Sequence, residues 1–492
     1  MRWKKVFVLT ILFLFTSTFS FAQTLKLDVK EYTLKNGLKI LMVERHEIPR
    51  VVCHIYYKVG SVNEHPGITG ISHLHEHMMF KGTKIMGVSD YKMDKEINDL
   101  IDLLEERIYY EKFWKRSKPD VKKIEEWQKL VDVLLKEEKK YIIKDDLWET
   151  YMKNGGSSLN ASTGNEVTGY YVTLPSNKVE LQMFLESDRM ANPVFREFYS
   201  EKEVVREERR LSENRPGFFF REQLNSVFYS ASPYSWMVLG WDIDLQKMTK
   251  KDFLEYNKKY YIPNNAVAVY VGDIDPENII SLAKKYFGDI PKGVTPEPVR
   301  TYEPPQRCEK RVYGEAEAPT EVTIMYHTPP RGHPDDAVFP IISGIMNGRT
   351  GRLYKSLIKE QGLAISAYAY GGGRWYAGQF TFSARPNERK GKTAEEVEKA
   401  LYGEIEKLKS EPASEREIQK VKNQYEANYI RSLANNYYLA SRIGREELNL
   451  GWRYLIEYLE QVKKVKAEDI MRVAKKYFVK NNRTVGILKR KK

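Results

Sequence analysis

The sequence predicts an α+β protein: two related α/β-sandwich domains, each an antiparallel-rich sheet with packed helices, joined by a Pro-rich linker. Three observations predict it. In both halves, short β-branched and aromatic runs are interleaved with amphipathic stretches of helical period. Ile290 to Gln306 holds Pro291, Pro296, Pro298, Pro304 and Pro305 and nothing periodic. The order of elements before that stretch returns after it. A chain of 492 residues also exceeds one ordinary core. The expected units are residues 23–290, a linker at 291–306, and residues 307–492.

The first unit opens with a hairpin, Glu31 to Lys35 and Leu38 to Glu44, around the favoured two-residue turn Asn36-Gly37. Val51 to Val59 reads as a third strand. Gly67 to Gly70 leads into a helix that Gly82 closes. From Tyr91 to Tyr151, charged and long aliphatic residues alternate with helical period, interrupted at Pro119, which predicts an inserted helical hairpin. Its charges read as solvated faces. Ser158 to Thr163 and Gly169 to Leu174 follow as strands, then helices over Val179 to Met190, Glu201 to Leu211 and Lys250 to Tyr261. Ala266 to Val271 is the last strand before the linker.

The second unit echoes this order. Glu321 to Tyr326 and then Ala337 to Met346 repeat the strand and helix of the first half. Leu363 to Tyr370 and Gly378 to Ala384 repeat the strands near residue 160. Long helices fill Glu415 to Phe478, and Arg483 to Leu488 ends as a strand.

The N-terminus reads as an export signal over residues 1–22. Arg2, Lys4 and Lys5 precede the apolar run Val6 to Phe15, and Ser20 and Ala22 fit a small-x-small cleavage site. The expected location is the periplasm or the exterior. The alternative is an uncleaved membrane anchor, because the apolar stretch approaches spanning length. The net charge of +13 is spread widely, which argues against nucleic acid as the partner. Cys53 and Cys308 lie far apart and read as free thiols, although export permits a disulfide.

The chemistry concentrates in Ser72-His73-Leu74-His75-Glu76-His77-Met78. Residues four apart share a helix face, so His73 and His77 can bind one cation, and neutral imidazoles favour zinc. Glu76 stands beside them, placed to take a proton from water. The pattern is His-x-x-Glu-His. His75 points to another face and reads as a bystander. A catalytic zinc takes a third protein ligand, for which Glu201 to Arg210 offers four glutamates.

The run Gly70 to Thr83 resembles the active helix of the pitrilysin/insulinase-type metallopeptidases, and Asn160-Ala161-Ser162-Thr163 resembles that family's strand beside the metal. The acidic helix resembles its third-ligand helix, where two glutamates lie seven positions apart. That resemblance implies one zinc per chain on His73, His77 and Glu208, with Glu201 supporting the site and Glu207 the ligand if the register shifts by one. It implies Glu76 as general base in a zinc endopeptidase, with Asn160 and Ala161 holding an extended peptide. Asn347 to Tyr354 resembles the family's entry to a helix in the second half.

One departure stands out. The family completes its site with an Arg and a Tyr seven positions apart in a second-half domain. Here those positions are Ile358 and Ile365, neither able to donate a hydrogen bond. Lys359 and Tyr368 are nearby but out of step. The implied assembly is a heterodimer with a paralogous subunit that lacks the zinc motif and carries the pair. A homodimer using Lys359 or another donor is the competing arrangement. The rival function is a peptide-binding or assembly subunit with little activity alone.

Overall fold

The computed structural model describes residues 27–115 and 117–491. The expected export segment, with its cut after Ala22, lies outside the described residues. Among the described residues no helix is long and apolar enough to cross a membrane.

The chain enters as a hairpin, with Lys30–Thr33 (β1) antiparallel to Lys39–Glu44 (β2) and Thr33 opposite Lys39. The two-residue turn expected at Asn36-Gly37 is instead a wider loop. Gly37 N–H donates to the Leu34 carbonyl at 2.9 Å, and Gly37 sits at φ +93°, where only glycine is free of strain. Asn36 accounts for the difference. Its buried side-chain amide donates to the carbonyls of Phe287 (2.7 Å) and Ile290 (2.9 Å), so the turn is shaped by a distant segment.

Arg50–Tyr57 (β3) is buried along all but its first residue. Ile71–Met78 (α1) follows. The segment expected as an inserted hairpin comprises Tyr91–Tyr109 (α2), a π-helical turn at Tyr110–Trp114, Val121–Glu138 (α3) and Asp146–Lys153 (α4). Ser157–Thr163 (β4) and Thr168–Pro175 (β5) return to the sheet. Val179–Ala191 (α5) and Phe198–Glu213 (α6) come next. Phe218–Phe228 (α7) and Asp242–Lys247 (α8) escape the sequence pattern. Lys250–Tyr260 (α9), Ala266–Gly272 (β6) and Pro276–Phe287 (α10) complete the first half. The sheet order is β1-β2-β6-β3-β5-β4, with β2 parallel to β6 and the other pairs antiparallel.

Residues 291–309 hold no helix or strand. The second half contains Lys310–Ala316 (β7), Glu321–Thr328 (β8), Phe339–Met346 (α11), Ala364–Gly372 (β9) and Gly378–Pro386 (β10). Ala394–Ser410 (α12), Glu415–Ala434 (α13), Asn436–Glu447 (α14), Tyr454–Lys464 (α15), Ala467–Tyr477 (α16) and Arg483–Arg490 (β11) close it. Its sheet runs β7-β11-β8-β10-β9. Without β1, the first sheet has the same strand order and the same single parallel pair, β7 with β11 matching β2 with β6. The repeat therefore lies in pairing geometry as well as element order.

Each sheet packs one face on its own helices. Ile55, Tyr170 and Tyr270 meet Leu74, Met183 and Phe253 in the first core. Ile324, Phe380 and Ile487 meet Ile342, Leu401 and Val473 in the second. The other face of each sheet is covered by a helix of the opposite half. Ile443 of α14 lies on Val269 and Tyr56, and Leu224 and Phe228 of α7 lie on Val312 and Met325. Each such buried aliphatic contributes about 1.5–3 kcal/mol, so the halves are bound by their own side chains. Cys53 is a buried free thiol in β3 and Cys308 an exposed one.

The α2–α3 hairpin has a small core of its own, Ile97, Ile101, Ile108 and Val131. Its base is tied down by two ion pairs. Asp94 meets Arg196 at 3.3 Å with both side chains buried, and Asp102 meets Lys250 at 2.8 Å. Arg196 also donates to the carbonyls of Lys81 and Thr83, in the loop that follows α1. Leaving Asp94 unpaired there would cost about 3–5 kcal/mol.

Candidate metal centre

The first N–H groups of a helix need acceptors that the helix cannot supply. At α1 the buried carboxylate of Glu64 supplies them. It accepts from the backbone N–H of Gly70 and Ser72, both at 2.9 Å, and from the Ser72 hydroxyl at 2.6 Å. Burial pushes Glu64 up to about 7 despite those hydrogen bonds. Asp244 holds the loop before it, accepting from Gly67 N–H, Thr69 N–H and the Thr69 hydroxyl. Neither acid carried a local sequence signal, since each acts across a turn or from a distant helix.

Helical spacing then sorts the side chains of α1. Ile71, Leu74, His75 and Met78 face the core, while His73, Glu76 and His77 lie on the more open side. His75, read from its spacing as a bystander on another face, is a buried core residue. Its ring stacks on Tyr261 at 3.6 Å and Phe253 at 4.8 Å, and Asn257 donates to its Nε2 at 2.9 Å.

Glu201 and Glu208 lie two turns apart on α6, on the face toward α1. His73 Nε2 and His77 Nε2 stand 3.7 Å and 3.5 Å from the same oxygen of Glu208. Among the described residues these three form the one group whose ligand atoms gather within 4.8 Å. Two imidazoles and a carboxylate are a zinc donor set, and ligands bonded tetrahedrally at about 2.1 Å sit about 3.4 Å apart. The donors present fit that ion. Glu207, the ligand under a one-residue shift, is on the outer face and pairs with Arg210.

The surroundings orient these donors. His77 Nδ1 bonds Glu201 Oε1 at 2.9 Å, so its Nε2 is directed to the cluster, the usual carboxylate support for a ligating imidazole. Lys81 Nζ meets the other Glu201 oxygen at 2.5 Å. Burial would raise the Glu201 carboxyl, but His77 and Lys81 outweigh it and hold it low. Burial, and then the neighbouring His77, push His73 down to about 4, leaving a neutral imidazole with a free lone pair. Burial also lifts Glu76, opposed by the Thr163 hydroxyl, which donates to Glu76 Oε2 at 2.5 Å. Thr163 and Lys81 both fall within runs whose resemblance to the family is visible in the sequence, yet neither was assigned a role there.

β4 is the outermost strand of its sheet, with β5 on one side only. Asn160 is exposed and Ala161 buried, and Ala161 N–H donates to the Asn160 side chain at 2.8 Å. A cavity of about 490 Å³ lies alongside, bounded by Glu76, His77, Lys81, Asn160 and Glu201 and walled by Ile142, just after α3, and Leu147 of α4. Ile358 is half-buried against the second core, and Ile365 is exposed on the edge strand β9. Lys359 and Tyr368 are exposed too.

The chain is similar along nearly its whole length to proteins named as proteases. It is 27% identical over 473 residues to the Helicobacter pylori zinc protease PqqE, covering 93% of this chain and 92% of that one. It is 22% identical to the uncharacterized zinc protease YmxG of Bacillus subtilis, covering 92% and 96%. Among solved structures, a protease from Helicobacter pylori superposes with a TM-score of 0.76 at 24% identity, covering 94% of this chain and 99% of that one. The first half of the periplasmic protease PqqL from Escherichia coli superposes with 0.69 at 16% identity, covering 95% and 93%. Against the whole of PqqL the match covers 94% of this chain and 48% of that chain, so this chain spans about half of it. The model for Insulinase (Peptidase family M16) matches residues 39–100 and 133–240, and that for the Peptidase M16 inactive domain matches 247–425. Matched in succession along most of one chain, these two models show that the protein belongs to peptidase family M16, the insulinase family.

Proposed function

We propose that this chain is the metal-bearing subunit of an exported zinc endopeptidase that cleaves unfolded peptides or small proteins. The observation that carries the reading is the convergence of His73 Nε2, His77 Nε2 and Glu208 Oε2, with Glu76 on the same helix face. His73, His77 and Glu208 would hold the ion, and Glu201 keeps His77 in the ligating tautomer. Bound there, zinc supplies a Lewis acid and a water with its pKa lowered to about 7. Glu76 accepts the proton of the attacking water and passes it to the leaving amine, and burial, which lifts its carboxyl above the ordinary value, makes it a stronger base. Thr163 fixes one Glu76 oxygen, leaving the other to take that proton. Asn160 and Ala161 hold the peptide as an added strand on the β4 edge, the Asn160 side chain giving up the Ala161 N–H to it.

A second reading is favoured by Ile358 and Ile365, which can donate nothing to a developing oxyanion. On that reading the chain alone binds peptide with little turnover. It needs a paralogous partner that supplies an Arg and a Tyr, or a second copy using Lys359. The match to one half of PqqL supports pairing with a second half-sized chain.

Glu76→Gln, assayed with the co-expressed paralogue, is expected to keep zinc at one per chain and to lose at least about a hundredfold in peptide hydrolysis. Hydrolysis undiminished in the zinc-loaded variant would remove Glu76 from the mechanism. Wild-type chain inactive alone but active with the paralogue would establish the shared site.

A further inference from the structure

The family model matches residues 39–100 and 133–240 and skips the stretch between, which is the distal part of the α2–α3 hairpin. From composition alone its charges read as solvated faces. The side chains the fold leaves exposed there say more. Trp114 is 69% exposed, Tyr110 57% and Val121 57%, all at the turn end of the hairpin. Leu103, on the side away from the buried Ile97, Ile101 and Ile108, and Leu100, on their flank, continue the stripe down α2. A helical face packed on a protein core would not leave these residues in water.

Charge is segregated along the same hairpin. Residues 110–123 hold six Lys or Arg against two acids, Glu111 and Asp120. Both acids are engaged, Glu111 by Lys115 and Asp120 by Lys123. Lys112, Lys118 and Lys122 are exposed and form no close ion pair among the described residues, although Lys112 lies near enough to Glu105 to attract it. Glu105, Glu106, Glu125 and Glu126 lie farther from the turn.

We infer that this hairpin tip docks on an anionic lipid bilayer. Tryptophan and tyrosine prefer the headgroup level, where an apolar ring and a polar edge are both satisfied. Lysine stems lie along apolar surface while their ammonium groups reach lipid phosphates. A protein partner would match the apolar stripe but gives no reason for bare lysines beside it, whereas a phosphate-rich surface matches both. The acids set back from the tip avoid the repulsion they would meet at that surface. Docking of this kind is separate from any anchoring by the N-terminal apolar run, and it does not depend on the peptidase reading.

Hydrogen–deuterium exchange of the full chain tests it, because the readout is local to residues 107–123. Vesicles of phosphatidylcholine with about one-third phosphatidylglycerol are compared with phosphatidylcholine alone. The anionic vesicles are expected to slow exchange in that segment, and 0.5 M salt to reverse most of the effect (~ the range where screening reaches a few Å). Tyr110→Ser/Trp114→Ser should abolish the protection. Lys112→Glu/Lys122→Glu should raise the lipid concentration needed by at least about tenfold. Unchanged circular dichroism and zinc content in both variants exclude misfolding. Equal exchange with and without anionic vesicles, or equal protection by neutral ones, would overturn the inference. So would protection that grows with protein concentration in the absence of lipid, which would assign the tip to a second copy of the chain.

Discussion

The two halves build the same helix pair on the same sheet and fill it with opposite chemistry. In the first, α1 packs on α6, and the seam holds His73, His77, Glu201 and Glu208. In the second, α11 packs on α13, and the seam holds Ile341, Ile345, Ile418 and Val421. Aligned start to start, His73 and His77 fall on Ile341 and Ile345, Glu76 on Gly344, and Glu201 on Ile418. The pairing of strands demands neither filling. A seam of imidazoles and carboxylates carries a burial cost that only a ligand or mutual hydrogen bonding offsets, while the apolar seam closes on itself. The same scaffold therefore gathers polar donors in one half and forms a core in the other.

Removing Glu208 should break the contrast most. Glu208→Gln is expected to lose far more zinc affinity than the ten- to hundredfold (~1.4–2.7 kcal/mol) expected for Glu201→Gln, which disturbs only the support of His77. Zinc analysis after dialysis against a chelator reads both, and full retention in Glu208→Gln would show that the seam is not a metal site. Gly344→Ala probes the other seam. A Cβ there would stand 2.3 Å from Val421 Cγ1, so the variant should lose about 1–3 kcal/mol in denaturant unfolding. Val421→Ala should relieve that clash, and zinc content should not change in either.

The smallest effect concerns the acids that precede the paired helices. Glu64 before α1 faces hydrogen-bond donors and burial raises it. Asp335 before α11 is also raised by burial, but Lys476, Tyr477 and Arg472 outweigh this and bring it to about 2, below its ordinary 3.8. A folded-state value below the unfolded one means that the ionised Asp335 stabilises the fold above about pH 4 and stops doing so as pH falls toward 2. Asp335→Asn should lower Tm by about 2–4 °C at pH 7, and the gap to wild type should close between pH 4 and 2. A gap independent of pH would show that Asp335 acts through shape alone.

Much of this was legible in the residues themselves. The His-x-x-Glu-His helix announced itself through spacing, because 3.6-residue periodicity turns sequence separation into a shared face. The seven-residue interval from Glu201 to Glu208 was chosen by the family resemblance, since by itself the acidic run Glu201 to Arg210 reads as a solvated helix face. What the sequence hid were partners far apart in the chain. Glu64 and Asp244 hold the entry to α1, Asn36 reaches the end of α10 and widens its own turn, and Arg196 locks the insertion to the loop after α1. Short helices such as α7 and α8 went unread because they are stabilised by packing and not by a long periodic stripe.

Glu201 and Glu208 sit on one unbroken helix, and this makes the proposed third ligand a matter of phase. A helix advances 100° per residue, so one residue gained or lost between them would swing Glu208 to the flank now occupied by its neighbours and shift it by about 1.5 Å. Between His77 and Glu201, by contrast, the chain carries a whole helical hairpin whose ends return to the same place. Evolution of this half is thus free to lengthen one connection and bound to count residues in the other.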